Sequence, residues 1–323
     1  MTVGWLTVER GEAPLIVSVA HAGVHIPPDV EARLVSTWLA RKDTDFRVDL
    51  LYDFAAGLGA TIIRTAVSRT LVDVNRDPSG ASLYPGAATT ALCPTTTFDG
   101  EALYREGAEP DAAEIARREG AWFDPYHRAL SEEIGRLRAR HNAVVLYDAH
   151  SIRSRVPRLF EGDLPNFNLG TNGGASCDGA LTVAVEAACD RSGFSRVTDG
   201  RFKGGYITRH FGKPEAGVHA LQMELACRGY MAEPDGPMTP ENWPGPYDPA
   251  RAAPMRAVLT EVLRACLNFA AALSPPSLEE GNPEGVEVAA AVRESRRMAR
   301  RREPPSPASP VLPPRQREEK RGP

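Results

Sequence analysis

Ala143-Val144-Val145-Leu146-Tyr147-Asp148-Ala149-His150-Ser151 is the stretch from which the fold can be read. A short apolar run rich in β-branched residues, bounded by polar and turn-forming ones, reads as a buried strand. This one runs into a histidine. A second run does the same: Leu15-Ile16-Val17-Ser18-Val19-Ala20 leads into His21-Ala22-Gly23. In open α/β sheets, ligands bind just beyond the carboxyl ends of the strands. Two imidazoles delivered there from distant parts of the chain suggest a shared metal site, with zinc a common partner of imidazole. Two unrelated polar residues at element ends would leave the same trace.

Working outward, strand-like and helix-like segments alternate. Strands are expected over 15–20, 61–65, 70–74, 143–147, 194–197 and 218–225. Helices are expected over 31–39, 46–58, 111–140 with an interruption at Pro125, 178–191 and 255–272. The alternation predicts one α/β domain with helices on both faces of a sheet. Long polar connections are expected over 77–100, 153–174 and 228–247, and loops of that length in a compact domain are usually functional or disordered.

The chain has 323 residues and a formal charge of −4, too small an imbalance to suggest nucleic acid or a membrane surface as partner. No apolar run is long enough to span a bilayer, and the first residues lack the basic-then-apolar pattern of a signal peptide. The five cysteines are scattered, odd in number and without CxxC spacing, which argues against a disulfide frame and for a reducing cytoplasm. Composition shifts after Leu273. Residues 1–273 are expected to fold as one domain, and 274–323, rich in Pro, Glu and Arg, to form a mostly disordered tail. The arginine cluster within 286–302 reads as a solvated extension in preference to a partner-binding arm.

Several polar residues invite chemistry. Asp45, at a loop–helix junction, is either an N-cap or a third metal ligand. His25 stands near His21. Arg76, after the 70–74 run, offers a planar fork suited to a carboxylate, and Arg69 precedes the same run; an ordinary salt bridge is the alternative for each. Asp148 shares strand parity with His150 and could orient it. Ser151 lacks the G-x-S-x-G setting of a hydrolase nucleophile. Glu224 lies within the apolar stretch 218–226, where burial would raise its pKa and suit it to general acid/base work. The alternative is a buried glutamate paired with an arginine. Arg209, His210 and the 203–206 segment could contact substrate. Gly170-Thr171-Asn172-Gly173-Gly174 lacks the lysine of a phosphate-binding loop.

Taken together, VSVAHAGVHIP (17–27), DTDFRVDLLYDF (43–54), SRTLVDVNRDPSG (68–80), DAHSIRSRVPR (148–158), LPNFNLGTN (164–172), GRFKGGYITRHFGKPEAG (200–217) and VHALQMELACRGYM (218–231) resemble the N-formylglutamate amidohydrolase family. That family is similar in fold to zinc carboxypeptidases and aspartoacylases. The resemblance implies a mixed sheet with one zinc, or another divalent ion, at the strand ends. It implies His21 and His150 as ligands and Glu224 as the base. It also implies that Asn75 and Arg76 grip a substrate carboxylate. The relatives' carboxylate ligand falls three residues after the first histidine, where this chain has Val24, so Asp45 is taken in its place with His25 as rival. Family members tend to read Asp-Thr-Asp-Trp-His where Asp45-Phe46-Arg47 stands here. The implied reaction is hydrolysis of N-formyl-L-glutamate, with Arg69, Arg153 and Arg209 as candidates for a second substrate carboxylate. A deacylase acting on another N-acyl amino acid or peptide, or a non-catalytic binding protein, is the alternative.

Overall fold

The structure is a computed structural model and describes residues 2–81 and 89–273. The tail expected over 274–323 lies outside the described residues. Among the described residues, eight strands form one sheet: β1 (Thr2–Val3), β2 (Leu6–Glu9), β3 (Leu15–Val19), β4 (Thr61–Thr65), β5 (Val144–Ile152), β6 (Phe167–Gly170), β7 (Arg196–Thr198) and β8 (Val218–Ala226). Their spatial order is β1-β2-β4-β3-β5-β8-β6-β7. The centre, β4-β3-β5-β8, is parallel, whereas β2 joins β4 and β6 joins β8 antiparallel. The sheet is therefore mixed. Around it lie α1 (Pro28–Glu31), α2 (Thr37–Arg41), α3 (Val48–Leu51), α4 (Ala112–Arg118), α5 (Asp124–Arg138), α6 (Gly179–Asp190), α7 (Tyr206–Phe211) and α8 (Pro249–Ala272).

Strand parity divides the core. Odd-numbered residues such as Val17, Tyr147 and Met223 pack with α6 and α8 residues, among them Leu181, Val185, Leu259 and Phe269. Even-numbered Ile16, Val144, Leu146, Val218 and Ala220 pack with Tyr126, Leu130, Ile207 and Phe211 on the other side. A parallel strand covered on both faces has no solvent side, so one residue of slip would exchange these two sets. Toward the carboxyl ends the even face changes character: Ser18, Asp148, His150, Gln222 and Glu224 replace the aliphatic side chains and are all buried. Register sets them in rows, with Ser18 beside Asp148 beside Gln222, and His150 beside Glu224.

Several expected elements differ. His150 sits within β5 and not beyond it. The polar residues that seemed to end the strand at Tyr147 satisfy one another, so all nine residues pair with β8. The 70–74 run is a turn and not a strand. Ser68 and Asp73 hold it locally, Ser68 accepting from Leu71 N at 2.9 Å and the Asp73 carboxylate accepting from Asn75 N at 3.0 Å. Ser36 accepts from Leu39 N at 3.3 Å and caps α2, splitting the helix expected over 31–39. Pro125 falls in the first turn of α5, where a residue without an N–H is tolerated, after a π turn at Glu119–Phe123, and the helical run continues. Within the loop expected over 153–174, β6 exists through pairing with β8 in spite of its Asn and Gly content.

Candidate functional site

His21 lies just past β3, after Ala20. Its Nε2 lies 2.7 Å from Asp73 Oδ1. An ionised carboxylate only accepts, so Nε2 carries the proton and Nδ1 presents a bare lone pair. That Nδ1 is buried and has no hydrogen-bond partner. Burial, assisted by the Arg69 charge, lowers the His21 pKa against the pull of Asp73 and Asp45. The ring is thus held neutral, the state a metal ligand needs.

His150 differs in that each of its ring nitrogens meets a carboxylate. Its Nε2 is 2.9 Å from Asp148 Oδ2, and its Nδ1 is 2.9 Å from Asp45 Oδ2. Burial disfavours the charged ring, but Asp148 and Asp45 outweigh it and raise the pKa well above the ordinary histidine value. Asp148 is steadied in turn by Ser18 Oγ, donating to Oδ1 at 2.8 Å, and by Asn75 Nδ2, donating to Oδ2 at 2.9 Å.

Asp45 reaches these histidines from the loop between α2 and α3, its N–H donating to the carbonyl of His21 at 3.1 Å. Its Oδ2 lies 3.7 Å from His21 Nδ1 and accepts from Ser151 N at 3.2 Å. Among the described residues, His21, Asp45 and His150 form a buried group whose ligating atoms all lie within 4.8 Å of one another. The donor set suits a divalent cation on two counts: an orphaned imidazole nitrogen aims into the group, and each histidine's other nitrogen is held by a carboxylate. Asp45 is no N-cap, because Arg47 occupies that position before α3. His25 is exposed and bridges through its backbone to Val67, outside the group.

Glu224 faces the same cleft. Burial pushes its pKa up to about 7, with His150 and Arg69 opposing and Asp45 and Asp148 adding to the rise. Gln222 fixes its carboxylate. The Gln222 Oε1 accepts from Gly205 N at 2.7 Å and from Asn75 Nδ2 at 3.3 Å, which turns Nε2 toward Glu224 Oε2 at 3.0 Å.

The arginines separate. Arg69 lines the cleft with its two outer nitrogens on Asp45 at 3.3 Å and Asp73 at 2.7 Å, and its guanidinium covers the Phe98 ring at 4.8 Å. Arg76 lines the cleft beside Thr90, whose hydroxyl accepts from its Nε at 3.1 Å. Arg153 lies elsewhere, paired with Asp43 and Asp99 at 2.9 Å each and lining a separate charged groove. Arg209 is in α7, its Nε donating to Gly204 O, and is absent from the cleft lining. Asn75 lines the cleft, but its amide is engaged within the protein: Oδ1 accepts from Ile207 N at 2.8 Å while Nδ2 serves Asp148 and Gln222. The sequence reading missed Asp73, Gln222 and Arg201, all at or beside the cleft. Asp73 and Gln222 had a signal, each being a polar residue inside an apolar run.

Gly205 packs so closely on Asn75 that an added Cβ would collide with the amide. Gly205→Ala should therefore lower stability by about 1–3 kcal/mol, read as a fall in thermal midpoint, and reduce activity as Asn75 is displaced.

The family model for N-formylglutamate amidohydrolase matches residues 13–231. An N-formylglutamate deformylase of Pseudomonas aeruginosa is 48% identical over 263 residues, covering 81% of this chain and 96% of that protein. One from Pseudomonas putida is 42% identical over 267 residues, covering 82% and 97%. In fold, the chain is similar to the crystal structure of an N-formylglutamate amidohydrolase from Ralstonia eutropha JMP134, with TM-score 0.63 and 24% identity, covering 82% of this chain and 97% of that one.

Proposed function

Because the chain belongs to the N-formylglutamate amidohydrolase family, we propose that it hydrolyses N-formyl-L-glutamate to formate and L-glutamate in histidine degradation, with zinc as its metal. The observation that carries this reading is the buried His21–Asp45–His150 group beside Glu224 in a cleft lined by arginines. Two imidazoles and a carboxylate are a zinc-type donor set, and three protein ligands leave room for water or substrate. When bound there, a divalent ion supplies Lewis-acid polarisation of a carbonyl and activation of water.

The chain's own residues account for the remainder. Glu224 takes a proton from the attacking water and passes it to the amine as the C–N bond breaks. Gln222 holds the carboxylate that makes both transfers. Asp73 and Asp148 keep the two imidazoles in the ligating orientation. Arg76 receives the substrate α-carboxylate through its planar fork. Arg69, tied to Asp45 and Asp73, contributes positive charge at the wall of the cleft without rearranging.

No helix among the described residues is long and apolar enough to cross a membrane. The reading places the reaction in the cytoplasm, on a small-molecule substrate, with residues 1–273 as the catalytic domain. Formate release by the purified full chain tests it. We expect turnover of N-formyl-L-glutamate, loss of activity on chelation and return with added zinc. Removing residues 274–323 should leave kcat/KM within about twofold. Turnover of a different N-acyl amino acid, with N-formylglutamate inert, would retain the chemistry and discard the substrate.

A further inference from the structure

Of the three side chains gathered as metal ligands, two are placed by the sheet: His21 lies just past β3 and His150 within β5. Asp45 comes from a loop, and a ligand on a loop keeps its geometry only where other parts of the chain brace it. The turn that carries it is also conformationally costly. Arg47 takes φ 66° and ψ 6°, the left-handed region that a residue with a side chain keeps only where its surroundings fix it. The brace comes from the segment that follows β8. A 3-10 turn at Cys227–Gly229 ends that strand and leads into Tyr230, which is buried. The Tyr230 hydroxyl donates to Phe46 O at 2.8 Å and lies 2.8 Å from Ser151 Oγ. A carbonyl oxygen only accepts, so the Tyr230 proton goes to Phe46 and Ser151 Oγ donates to Tyr230. The backbone N–H of the same Ser151 donates to Asp45 Oδ2 at 3.2 Å. The carboxylate of Asp45 is thus held by β5, the carbonyl after it by Tyr230, and the Ser151 hydroxyl joins the two. Trp243, also buried, holds the same segment again. Its Nε1 donates to Lys42 O at 2.9 Å, and its ring meets Phe46 edge-on with centres 5.9 Å apart.

We propose that Tyr230 and Trp243 are positioning residues for the metal group: they clamp the 42–46 segment from the far side and so keep Asp45 on His21 and His150. The inference rests on the metal-site reading above and deepens it. Neither side chain is in the cleft lining, so each acts through Asp45 and not on substrate. The Tyr230 hydroxyl does what an apolar ring cannot: it satisfies a buried carbonyl one residue from the ligand. Without that donor the Phe46 carbonyl is driven to seek another partner, and it takes the Asp45 backbone with it. The strand that carries Glu224 runs into the turn that carries Tyr230, so one stretch of chain bears the base and braces the ligand.

The test reads the zinc dissociation constant of the full chain by competition with a chromogenic chelator, in the wild type, Tyr230→Phe and Trp243→Phe. Far-UV dichroism and the thermal midpoint check the fold. Tyr230→Phe keeps the ring and loses the hydroxyl, and should raise Kd about 30-fold, within the range for residues that orient metal ligands. Trp243→Phe keeps a ring against Phe46 and loses the N–H, and should raise Kd about 10-fold. Formate release lost at limiting zinc should return once free zinc saturates the site, because both histidines, Asp45 and Glu224 are still present. A merely structural role would lower the thermal midpoint and leave zinc affinity unchanged. A Kd within threefold of wild type in folded Tyr230→Phe therefore overturns the proposal, and so does activity that stays lost at full zinc occupancy. Should Tyr230→Phe not fold, Trp243→Phe decides by the same threshold. If the wild-type chain binds no zinc, the metal-site reading itself fails, a result distinct from a zinc-binding wild type whose affinity survives the substitutions.

Discussion

His150→Ala is expected to yield a protein that no longer retains a stoichiometric divalent ion and releases formate at least about 10³-fold more slowly. That factor corresponds to about 4 kcal/mol, and Lewis-acid catalysis is worth several kcal/mol. His150 is central because its two nitrogens link two buried carboxylates, Asp148 and Asp45, at 2.9 Å each. Its removal deletes a ligand and leaves anionic charge uncompensated inside the protein. Breaking a buried pair in this way costs about 3–5 kcal/mol of stability. Asp148 keeps its bonds from Ser18 and Asn75, and Asp45 keeps Arg69, so the cost should fall in the thermal midpoint without abolishing the fold. Asp45→Asn is the companion variant: it retains the shape of the side chain and removes the anionic ligand. Elemental analysis of both checks the assignment. Full metal content in either variant, with activity intact, would show that the ion is held elsewhere.

Glu224→Gln separates chemistry from binding. We expect kcat to fall by about 10²–10⁴, the usual contribution of a positioned acid/base, with metal content retained. The isosteric amide cannot take a proton from water. The pH profile gives a second reading of the same residue. Its pKa is pushed up to about 7 by burial, and a cation at the neighbouring group draws it back down. The base works only when ionised. The wild-type kcat/KM should therefore fall as pH drops through a limb at or below about 7, and that limb should be missing from the residual activity of Glu224→Gln. A variant with wild-type kcat would remove Glu224 from the reaction.

Much of the site was legible from local pattern. The apolar runs ending at His21 and His150 read as buried strands because β-branched residues between turn formers have few other uses. Glu224 stood out because a carboxylate in the run 218–226 is costly without a role. Parity alone set Asp148 on the face of His150. These inferences survive because strand geometry alternates faces every residue, whatever the neighbouring strand is.

What tertiary structure decided concerns residues carried by loops and their competition for partners. Asp45 was taken from the sequence with His25 as its rival; the hydrogen bond from Asp45 N to His21 O brings the carboxylate inward, while the bridge to Val67 leaves His25 at the surface. Arg153 and Arg201 are alike as symbols, yet Asp43 and Asp99 hold the first in another groove and the second lines the cleft. Asn75 read as a substrate-gripping side chain and proves to be engaged by Asp148, Gln222 and Ile207. The sequence by itself determined the two histidine-bearing strands, the buried acid and the faces they share, since periodicity is a property of the local chain. Which carboxylate joins the two histidines, and which arginines line the cleft, depended on the folded chain. A charged side chain is placed by the nearest opposite charge in space, and only the packing of distant loops determines which charge that is.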